Sequence, residues 1–257
     1  MSTPTTATSI GLAGTLGPDR IARLAVHVEA AGYRALWVND NPGGDSLAPI
    51  AAAAQVTTTL GLATGIVPLD RVPAAELGRR VADLPHDRIR IGVGSGNAVH
   101  GLALLEAGVA ELRGATDVPV LIGALGPRTR SLAARVADGI LFNWLSPATA
   151  ELAMAQLATD TPEGRPVGAG VLYARTIAEP DARAALEDEA AKYAGHPAYS
   201  ANFARLGITP LEATIDLGTV GSREAFHGVV DELVLRVITA TGTDEEIIRV
   251  IVAGAPA

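Results

Sequence analysis

The chain has 257 residues, of which 48% are hydrophobic and 19% are charged, and its formal net charge is −8. This composition excludes an intrinsically disordered chain, and net acidity with only 4% aromatic residues argues against a nucleic-acid-binding protein. The absence of Cys excludes disulfides, thiolate metal sites and a Cys nucleophile. The opening residues, MSTPTTATSI, lack the regions of a signal peptide, and no long apolar run follows, so we expect a cytoplasmic protein without a membrane span.

The chain alternates short apolar runs, typical of buried strands, with Ala-rich runs that have helical periodicity. The predicted strands, in chain order, cover residues 9–13, 35–38, 60–67, 88–93, 118–123, 139–142, 167–174 and 233–237. The predicted helices cover residues 19–31, 46–58, 73–84, 98–112, 127–137, 147–157, 181–194, 198–206 and 244–252. Residues 208–228 have no clear pattern and are predicted to form an irregular loop or a lid.

This order of elements predicts the fold class. Eight strand-then-helix units in about 250 residues match a (β/α)8 TIM barrel in number and size. The strands are continuously apolar, as expected of parallel strands that are buried on both faces. No linker or repeat divides the chain, so we expect a single barrel domain over residues 1–257. A doubly wound open sheet is the alternative.

Active sites of such barrels lie where strands end and helices begin. In this sequence, polar residues and glycines are concentrated at those positions. In chain order they include Asn39, Asp40, Asn41, Thr64, Gly65, Ile66, Gly94, Ser95, Gly96, Asn97, Ala124, Leu125, Gly126, Pro127, Arg128, Thr129, Asn143 and Trp144. We therefore expect the functional site to be built from this set.

A candidate phosphate site follows the fifth predicted strand, in the segment GALGPRTR (residues 123–130). A turn of small residues leads to Pro127, which suits the first position of a helix. Free backbone N–H groups at a helix start, with the Arg128 guanidinium and the Thr129 hydroxyl nearby, suit a phosphate. An ordinary turn, in which Gly and Pro serve only geometry, is an equal alternative, and barrel phosphate sites more often follow strands seven and eight.

Two other segments at strand ends carry weaker signals. GVGSGN (residues 92–97) lacks the third glycine of a dinucleotide-binding motif and the Lys of a P-loop, so a ligand loop and a plain tight turn are both consistent with it. In WVNDN (residues 37–41), Asp40 can accept hydrogen bonds either from a ligand ring or from a loop N–H.

The remaining side chains limit the chemistry. The five histidines form neither a His-x-x-x-His pair nor a carboxylate-rich cluster, so no metal site is predicted. At least four of the five histidines are expected to be surface or packing residues. His100 follows Asn97 by about one helical turn and is the candidate for a histidine that faces the site, with the surface or packing role as its alternative. Ser95 lacks the flanking glycines of a Gly-x-Ser-x-Gly motif, which argues against nucleophilic hydrolysis.

Four segments carry a resemblance to a known family. They are EAAGYRALWVND (29–40), LGLATGIVP (60–68), DRIRIGVGSGN (87–97) and GPRTRSLAARVADGILFN (126–143). In this order they resemble the luciferase-like family and, more closely, its deazaflavin (coenzyme F420)-dependent oxidoreductase branch. The last two segments are the most specific. The resemblance covers roughly residues 9–160, and beyond them only the barrel pattern supports it.

The resemblance implies a barrel that binds F420, or alternatively FMN, at the carboxyl ends of its strands. Asp40 would lie near the cofactor ring, and Ser95 and Asn97 would line its edge. A bulge in the third strand would comprise Thr64, Gly65 and Ile66, with a non-prolyl cis peptide bond between the last two. The phosphate-bearing tail would bind at Ala124, Leu125, Gly126, Pro127, Arg128 and Thr129, and Asn143 completes the cofactor-binding candidates.

The sequence departs from one branch of this family, which acts on sugar phosphates. That branch has a His as acid and a Glu as base at the positions of Asn41 and Asn97. Asn cannot act as a general acid or base, so sugar-phosphate dehydrogenation is not expected. Proton handling is assigned instead to His100 or bound water. The segment between the fourth and fifth strands is shorter than is usual in the family, which predicts an open site, a different partner or reduced function.

The leading hypothesis is an F420-dependent oxidoreductase that transfers a hydride between the cofactor and a small organic substrate. Asp40, Asn41 and Asn97 would orient the ring, which makes Asn41, Asn97 and His100 the catalytic candidates. Lys192 is the only lysine, a bias typical of the GC-rich actinobacterial genomes in which F420 is common. The alternatives are an FMN-dependent monooxygenase and a non-catalytic flavin-binding or vestigial paralogue. The resemblance also implies a homodimer, and no nucleic-acid or membrane partner is expected.

Overall fold

The computed structural model describes residues 6–41 and 43–256, over which strands and helices alternate. The strands are β1 (Ala7–Ala13), β2 (Ala35–Asn39), β3 (Gly61–Pro68), β4 (Ile89–Gly94), β5 (Val120–Gly123), β6 (Gly139–Asn143), β7 (Ala169–Ile177), β8 (Thr214–Asp216) and β9 (Glu232–Val237). The helices are α1 (Pro18–Ala30), α2 (Leu47–Val56), α3 (Ala74–Val81), α4 (Gly101–Ala115), α5 (Pro127–Val136), α6 (Pro147–Asp160), α7 (Arg183–Ala194), α8 (Pro197–Leu206) and α9 (Asp244–Ala253).

Eight of these strands form a closed ring of parallel pairings. β1 to β7 pair in sequence, β7 then pairs with β9, and β9 returns to β1. The closure confirms the predicted (β/α)8 barrel and excludes the open sheet. Among the described strands, the remaining one, β8, pairs only with the end of β7 and lies outside the ring.

Apolar side chains fill two layers. Inside the ring, one buried cluster consists of Ala35, Trp37, Ala63, Leu121, Leu141, Val171, Tyr173 and Val234, with Ile66 packed against it. A larger cluster lies between the strands and the helices. α1 contributes Ile21, Leu24, Ala25 and Val28 to it, which is the stripe that its helical spacing predicts. Burial of each large aliphatic side chain contributes about 1.5–3 kcal/mol to folding.

The structure differs from the sequence prediction mainly at element ends. α4 begins at Gly101 rather than at residue 98, because the Ala98 N–H donates to the Ser95 carbonyl in a turn that precedes the helix. β7 continues to Ile177, three residues beyond its predicted end, because it gains β8 as a neighbour there. The segment 208–228, predicted to be an irregular loop or a lid, contains β8 and two short 3-10 turns.

Two features of the described residues bear on function class. No helix among them is long and apolar enough to cross a membrane. Within the same residues, no group of three or more His, Asp and Glu side chains is placed to hold a metal ion.

Candidate functional site

A bulge in β3 forms one wall of the barrel mouth at the carboxyl ends of the strands. The register with β4 shifts next to Thr64, and the peptide bond between Gly65 and Ile66 is cis, which confirms the prediction made for these residues. The Asn39 amide donates to the Gly65 carbonyl at 2.5 Å. The buried Thr64 hydroxyl donates to the Gly92 carbonyl at 3.0 Å and accepts from the Gly92 N–H at 2.9 Å. Neighbouring strands therefore fix the bulge from both sides.

The bulge directs the Ile66 side chain into the barrel mouth, over a floor of glycines. A Cβ atom on Gly123 would lie 2.9 Å from Ile66 Cγ2, and a Cβ atom on Gly94 would clash with Ile66 Cδ1. The glycines of β4 and β5 thus make room for this side chain. Ile66 stays partly exposed and presents a flat apolar surface at the mouth.

The loop after β2 takes up the polar atoms of Asp40. Its side chain is only 6% exposed and forms an ion pair with Arg71 through Oδ1. Oδ2 accepts hydrogen bonds from the Ser46 N–H at 3.3 Å and from the Ser46 hydroxyl at 3.1 Å. Of the two predicted roles, the structure shows the loop contact, in which both carboxylate oxygens of Asp40 take part, and the ring contact stays a prediction. Asn41 follows with a buried Oδ1 that has no partner among the described residues.

The glycine-rich loop after β4 has a geometric explanation at Gly96. Its φ is +58°, and a Cβ atom there would overlap the Asp70 carboxylate. That carboxylate accepts a hydrogen bond from the Asn97 N–H at 2.8 Å. A side chain other than hydrogen is therefore excluded at Gly96 on two grounds. The Asn97 side chain itself is exposed, beside the partly exposed Ser95.

A cleft of about 440 Å³ lies beside this loop, between the amino ends of α4 and α5. It brings together candidates from two segments about 30 residues apart in the sequence. Ser95 and His100 come from the first segment, and Arg128 and Thr129 from the second. The complete lining is Ser95, Val99, His100, Gly101, Leu102, Ala103, Leu105, Arg128 and Thr129. His100 therefore lies with the phosphate candidates, whereas the family resemblance predicts proton handling by His100 or bound water.

Backbone donors surround the cleft on two sides. In α4 the first intrahelical bond is from the Leu104 N–H, and in α5 it is from the Arg130 N–H. The N–H groups of residues 101–103 and 128–129 precede these bonds and have no intrahelical acceptor. Two helix amino ends, each with a partial positive charge, thus converge on one space with the exposed Arg128 guanidinium. This donor set fits a phosphate group.

Other predicted cofactor ligands are engaged by the protein. The Asn143 Oδ1 accepts a hydrogen bond from Arg175. Ala124 is buried, with its N–H donating to the Leu141 carbonyl at 3.1 Å. Leu125 and Gly126 are partly exposed, and Pro127 is exposed at the first turn of α5. Of the tail segment, Arg128 and Thr129 alone line the cleft.

Three arginines near the site were not predicted from the sequence. Arg130 is 3% exposed and lies over the Phe142 ring at 5.4 Å; burial, with a contribution from the charge of Arg205, lowers its pKa to about 10. Arg175 and Arg236 lie on the inner face of the barrel, near the carboxyl ends of β7 and β9. For Arg236, the sequence offered one signal, a charged residue within the apolar run ELVLRV. An arginine whose side chain points outward from the barrel would give the same pattern.

The sequence matches one protein family over nearly its whole length. The family described as luciferase-like monooxygenase matches residues 1–109 and 103–255. A curated relative, 5,10-methylenetetrahydromethanopterin reductase of Methanolobus tindarius, is 25% identical over an alignment of 178 residues that covers 54% of each protein. The match thus spans about half the length of this relative.

Solved structures share the complete fold. The coenzyme F420-dependent tetrahydromethanopterin reductase of Methanopyrus kandleri superimposes with a TM-score of 0.70 at 17% identity, covering 98% of both chains. A riboflavin lyase with modified FMN and riboflavin superimposes with a TM-score of 0.66 at 13% identity, covering 98% of this chain and 93% of the lyase. At these identities the similarity establishes the barrel architecture.

Proposed function

Because the chain belongs to the luciferase-like monooxygenase family, we propose that it is an oxidoreductase that binds coenzyme F420 and transfers a hydride between F420 and a small organic substrate. The phosphate of the cofactor tail would bind in the cleft between α4 and α5. The ring would lie at the barrel mouth, against the bulge of β3. The convergence of two helix amino ends on Arg128 and Thr129 is the observation that carries this proposal.

The protein's own residues have separable tasks in this proposal. The backbone N–H groups at the start of α4 and α5, with Arg128, Thr129 and His100, hold the phosphate. The partly exposed Ile66 side chain would form the apolar surface against which the ring lies. When bound, the deazaflavin supplies the ring carbon that gives or takes the hydride, and the barrel supplies position and electrostatics. Asn41 and Asn97 orient the ring.

FMN is the second candidate cofactor, in a monooxygenase of the same fold. It has a phosphate that the same cleft would accept, and a solved structure with this fold contains modified FMN. The chain uses Arg almost exclusively, with Lys192 as its single lysine. This bias is typical of the GC-rich actinobacterial genomes in which F420 is common, and it therefore supports F420. The open cleft, bordered by the 93% exposed Val99, also supports F420 because a monooxygenase needs a dry, closed pocket.

A binding titration tests both cofactors. Purified protein is titrated with F420 and, separately, with FMN, following absorbance and fluorescence. We expect micromolar binding of F420, and about 10- to 100-fold weaker binding by the double variant Arg128→Ala/Thr129→Ala, because charge-assisted hydrogen bonds to phosphate contribute about 1–3 kcal/mol. Arg135→Ala is the matched control: Arg135 lies on the same helix, is exposed, and within residues 6–41 and 43–256 bonds only to Ser131.

The outcomes separate the alternatives. Tight FMN binding without F420 binding would replace the proposed activity with the monooxygenase. Equal F420 affinity in the double variant and the control would mean that Arg128 and Thr129 do not bind the phosphate and that their segment is an ordinary turn. If neither cofactor binds at about 100 μM, a concentration far above the micromolar dissociation constant expected of an enzyme, the chain is a non-catalytic member of its family.

A further inference from the structure

Two arginines stand side by side at the barrel mouth. Arg175 on β7 and Arg236 on β9 are partners in the register of these strands. The residues two positions earlier, Tyr173 and Val234, belong to the apolar cluster inside the ring. Because side chains alternate along a strand, Arg175 and Arg236 project on the same inner face, above that cluster.

Arg175 is buried and held by several protein groups, although its Nε has no hydrogen-bond partner among the described residues. Its guanidinium donates to Asn143 and lies 3.7 Å from the Glu189 carboxylate. It also stacks over the Trp144 ring at 4.1 Å and over the Tyr193 ring at 4.6 Å, and only 4% of its side chain is exposed. Arg175 is thus a fixed positive charge.

Arg236 lacks such partners. Its one side-chain hydrogen bond within residues 6–41 and 43–256 is to the carbonyl of the next residue, Val237. No carboxylate among those residues lies within 4.0 Å of its guanidinium. Burial, and then the charge of Arg175, lower the pKa of Arg236. Two guanidinium groups therefore face one carboxylate, that of Glu189, which leaves one positive charge uncompensated at the mouth of a chain whose net charge is −8.

The surroundings show where a ligand can enter. Arg236, Asn39, Ile66 and Asn143 are all partly exposed, so the mouth is open to solvent. The buried Tyr173 hydroxyl, which has no hydrogen-bond partner in the described part of the chain, lies at the edge of this space, where it packs against the cis peptide. The uncompensated cation thus faces the opening, and the unpaired Tyr173 hydroxyl is buried beside it.

We propose that the barrel mouth takes an organic substrate with a carboxylate group, and that Arg236 binds this carboxylate. A guanidinium binds a carboxylate through two parallel hydrogen bonds, and one negative charge balances the one uncompensated positive charge. The site is distinct from the cleft between α4 and α5, where the cofactor phosphate would bind. The assignment names the substrate class of the proposed oxidoreductase, and it rests on that function for its catalytic meaning.

Calorimetric titration of the cofactor-free protein in chloride-free buffer tests the assignment. Benzoate is the probe, with benzyl alcohol as its uncharged counterpart and phenyl phosphate as its doubly charged one. We expect benzoate to bind at least about tenfold more tightly than benzyl alcohol, and Arg236→Gln to abolish this difference. Arg236→Lys, which keeps the charge but loses the fork, should retain part of it. Arg249→Gln, at an exposed arginine, is the matched control.

Each contrary result overturns the assignment. Equal benzoate affinity in Arg236→Gln and Arg249→Gln excludes a carboxylate site at Arg236. Absence of benzoate binding to the parent protein at about 50 mM, a concentration well above a millimolar dissociation constant, excludes it too. Tighter, Arg236-dependent binding of phenyl phosphate shows a phosphate substrate instead. Circular dichroism verifies that each variant is folded. Because Arg128→Ala/Thr129→Ala should leave benzoate binding unchanged, failure of the cofactor proposal and failure of this one give different results.

Discussion

Asp40 shows how the protein's own polar groups compete for a residue at the end of a strand. Its carboxylate lies between the exposed Arg71 side chain and Ser46, which is fully buried at the start of α2. Because Ser46 is buried, no solvent water can replace Asp40 as the acceptor of the hydrogen bond from the Ser46 hydroxyl. Asp40 therefore fixes the loop that follows β2.

Replacement of Asp40 by Ala tests this role. We expect the free energy of unfolding to fall by about 1–3 kcal/mol, because the buried Ser46 hydroxyl loses its acceptor. The double variant Asp40→Ala/Ser46→Ala should lose less than the sum of the two single changes, since it removes both partners of the same bond. Urea denaturation measures all three. Unchanged stability together with a large loss of F420 affinity would instead support direct contact with the ring.

At the residue scale, the sequence predicts which positions lie at the rim but not which side chains pair. The family resemblance placed the cis peptide between Gly65 and Ile66, where the structure has it. The pairing of Asp40 with Arg71 joins residues 31 positions apart, and the approach of Asp70 to Gly96 is equally invisible in a single sequence. Such contacts depend on how loops after neighbouring strands pack together, and local patterns carry no information about this.

Among the elements, β3 is the one whose irregularity shapes the site. Its bulge turns Ile66 inward, and this is possible only because β4 and β5 carry glycine at Gly94 and Gly123 beneath it. The glycines of this floor therefore have a packing function in addition to any approach of a ligand. The position of Ile66 thus depends on the absence of a side chain at both glycines.

This coupling predicts the effect of Gly94→Ala. The added methyl group would meet Ile66 Cδ1, and overpacking of this kind costs about 1–3 kcal/mol of stability. Adding Ile66→Ala should restore most of the loss, and a double-mutant cycle by urea denaturation measures the coupling. Gly114→Ala is the control of opposite sign: nothing lies within 4 Å of its Cβ position in α4, so it should stabilise by about 0.5–1 kcal/mol. Additive losses would contradict the coupling.

The ends of the elements mark the limit of prediction at this scale. The existence of all eight barrel strands follows from their apolar runs, but β8 has only three residues and forms because β7 offers it an edge. The extension of β7 to Ile177 carries Arg175 into the barrel mouth. A pattern of hydrophobicity cannot show this, because the cause is a pairing with a segment about 40 residues later.

In the molecule as a whole, the two ends of the barrel have different tasks. At the end opposite the mouth, the buried Glu232 carboxylate accepts hydrogen bonds from Ser9 at 2.6 Å, Trp37 at 2.7 Å and Arg90 at 2.6 Å. These residues come from β9, β1, β2 and β4, so one carboxylate links strands around half of the ring. Because the network lies away from the strand ends that carry the site, we assign it to stability.

Glu232→Gln tests this assignment and its pH dependence together. Burial alone would raise the pKa of Glu232, but the hydrogen bonds and charge of Arg90, with Ser9 and Trp37, lower it. The stabilisation is therefore complete above the unfolded-state pKa of about 4.3 and is lost as the pH falls through the lower folded-state value. At pH 7 we expect the variant to lose about 3–5 kcal/mol, because the charge of Arg90 is left unpaired.

The difference between parent and variant should then shrink as the pH falls below about 4.3, because Glu232 takes up its proton in the unfolded parent at a higher pH than in the folded parent. Guanidinium denaturation from pH 7 to pH 3 measures it. Glu179→Gln is the matched control, since its pair with Arg249 is 3.8 Å apart and half exposed; it should change stability by less than about 0.5 kcal/mol at every pH. A difference that stays constant to pH 3 would contradict the lowered folded-state pKa of Glu232, and equal stability of parent and variant at pH 7 would mean that a neutral acceptor serves the network as well as the charged one.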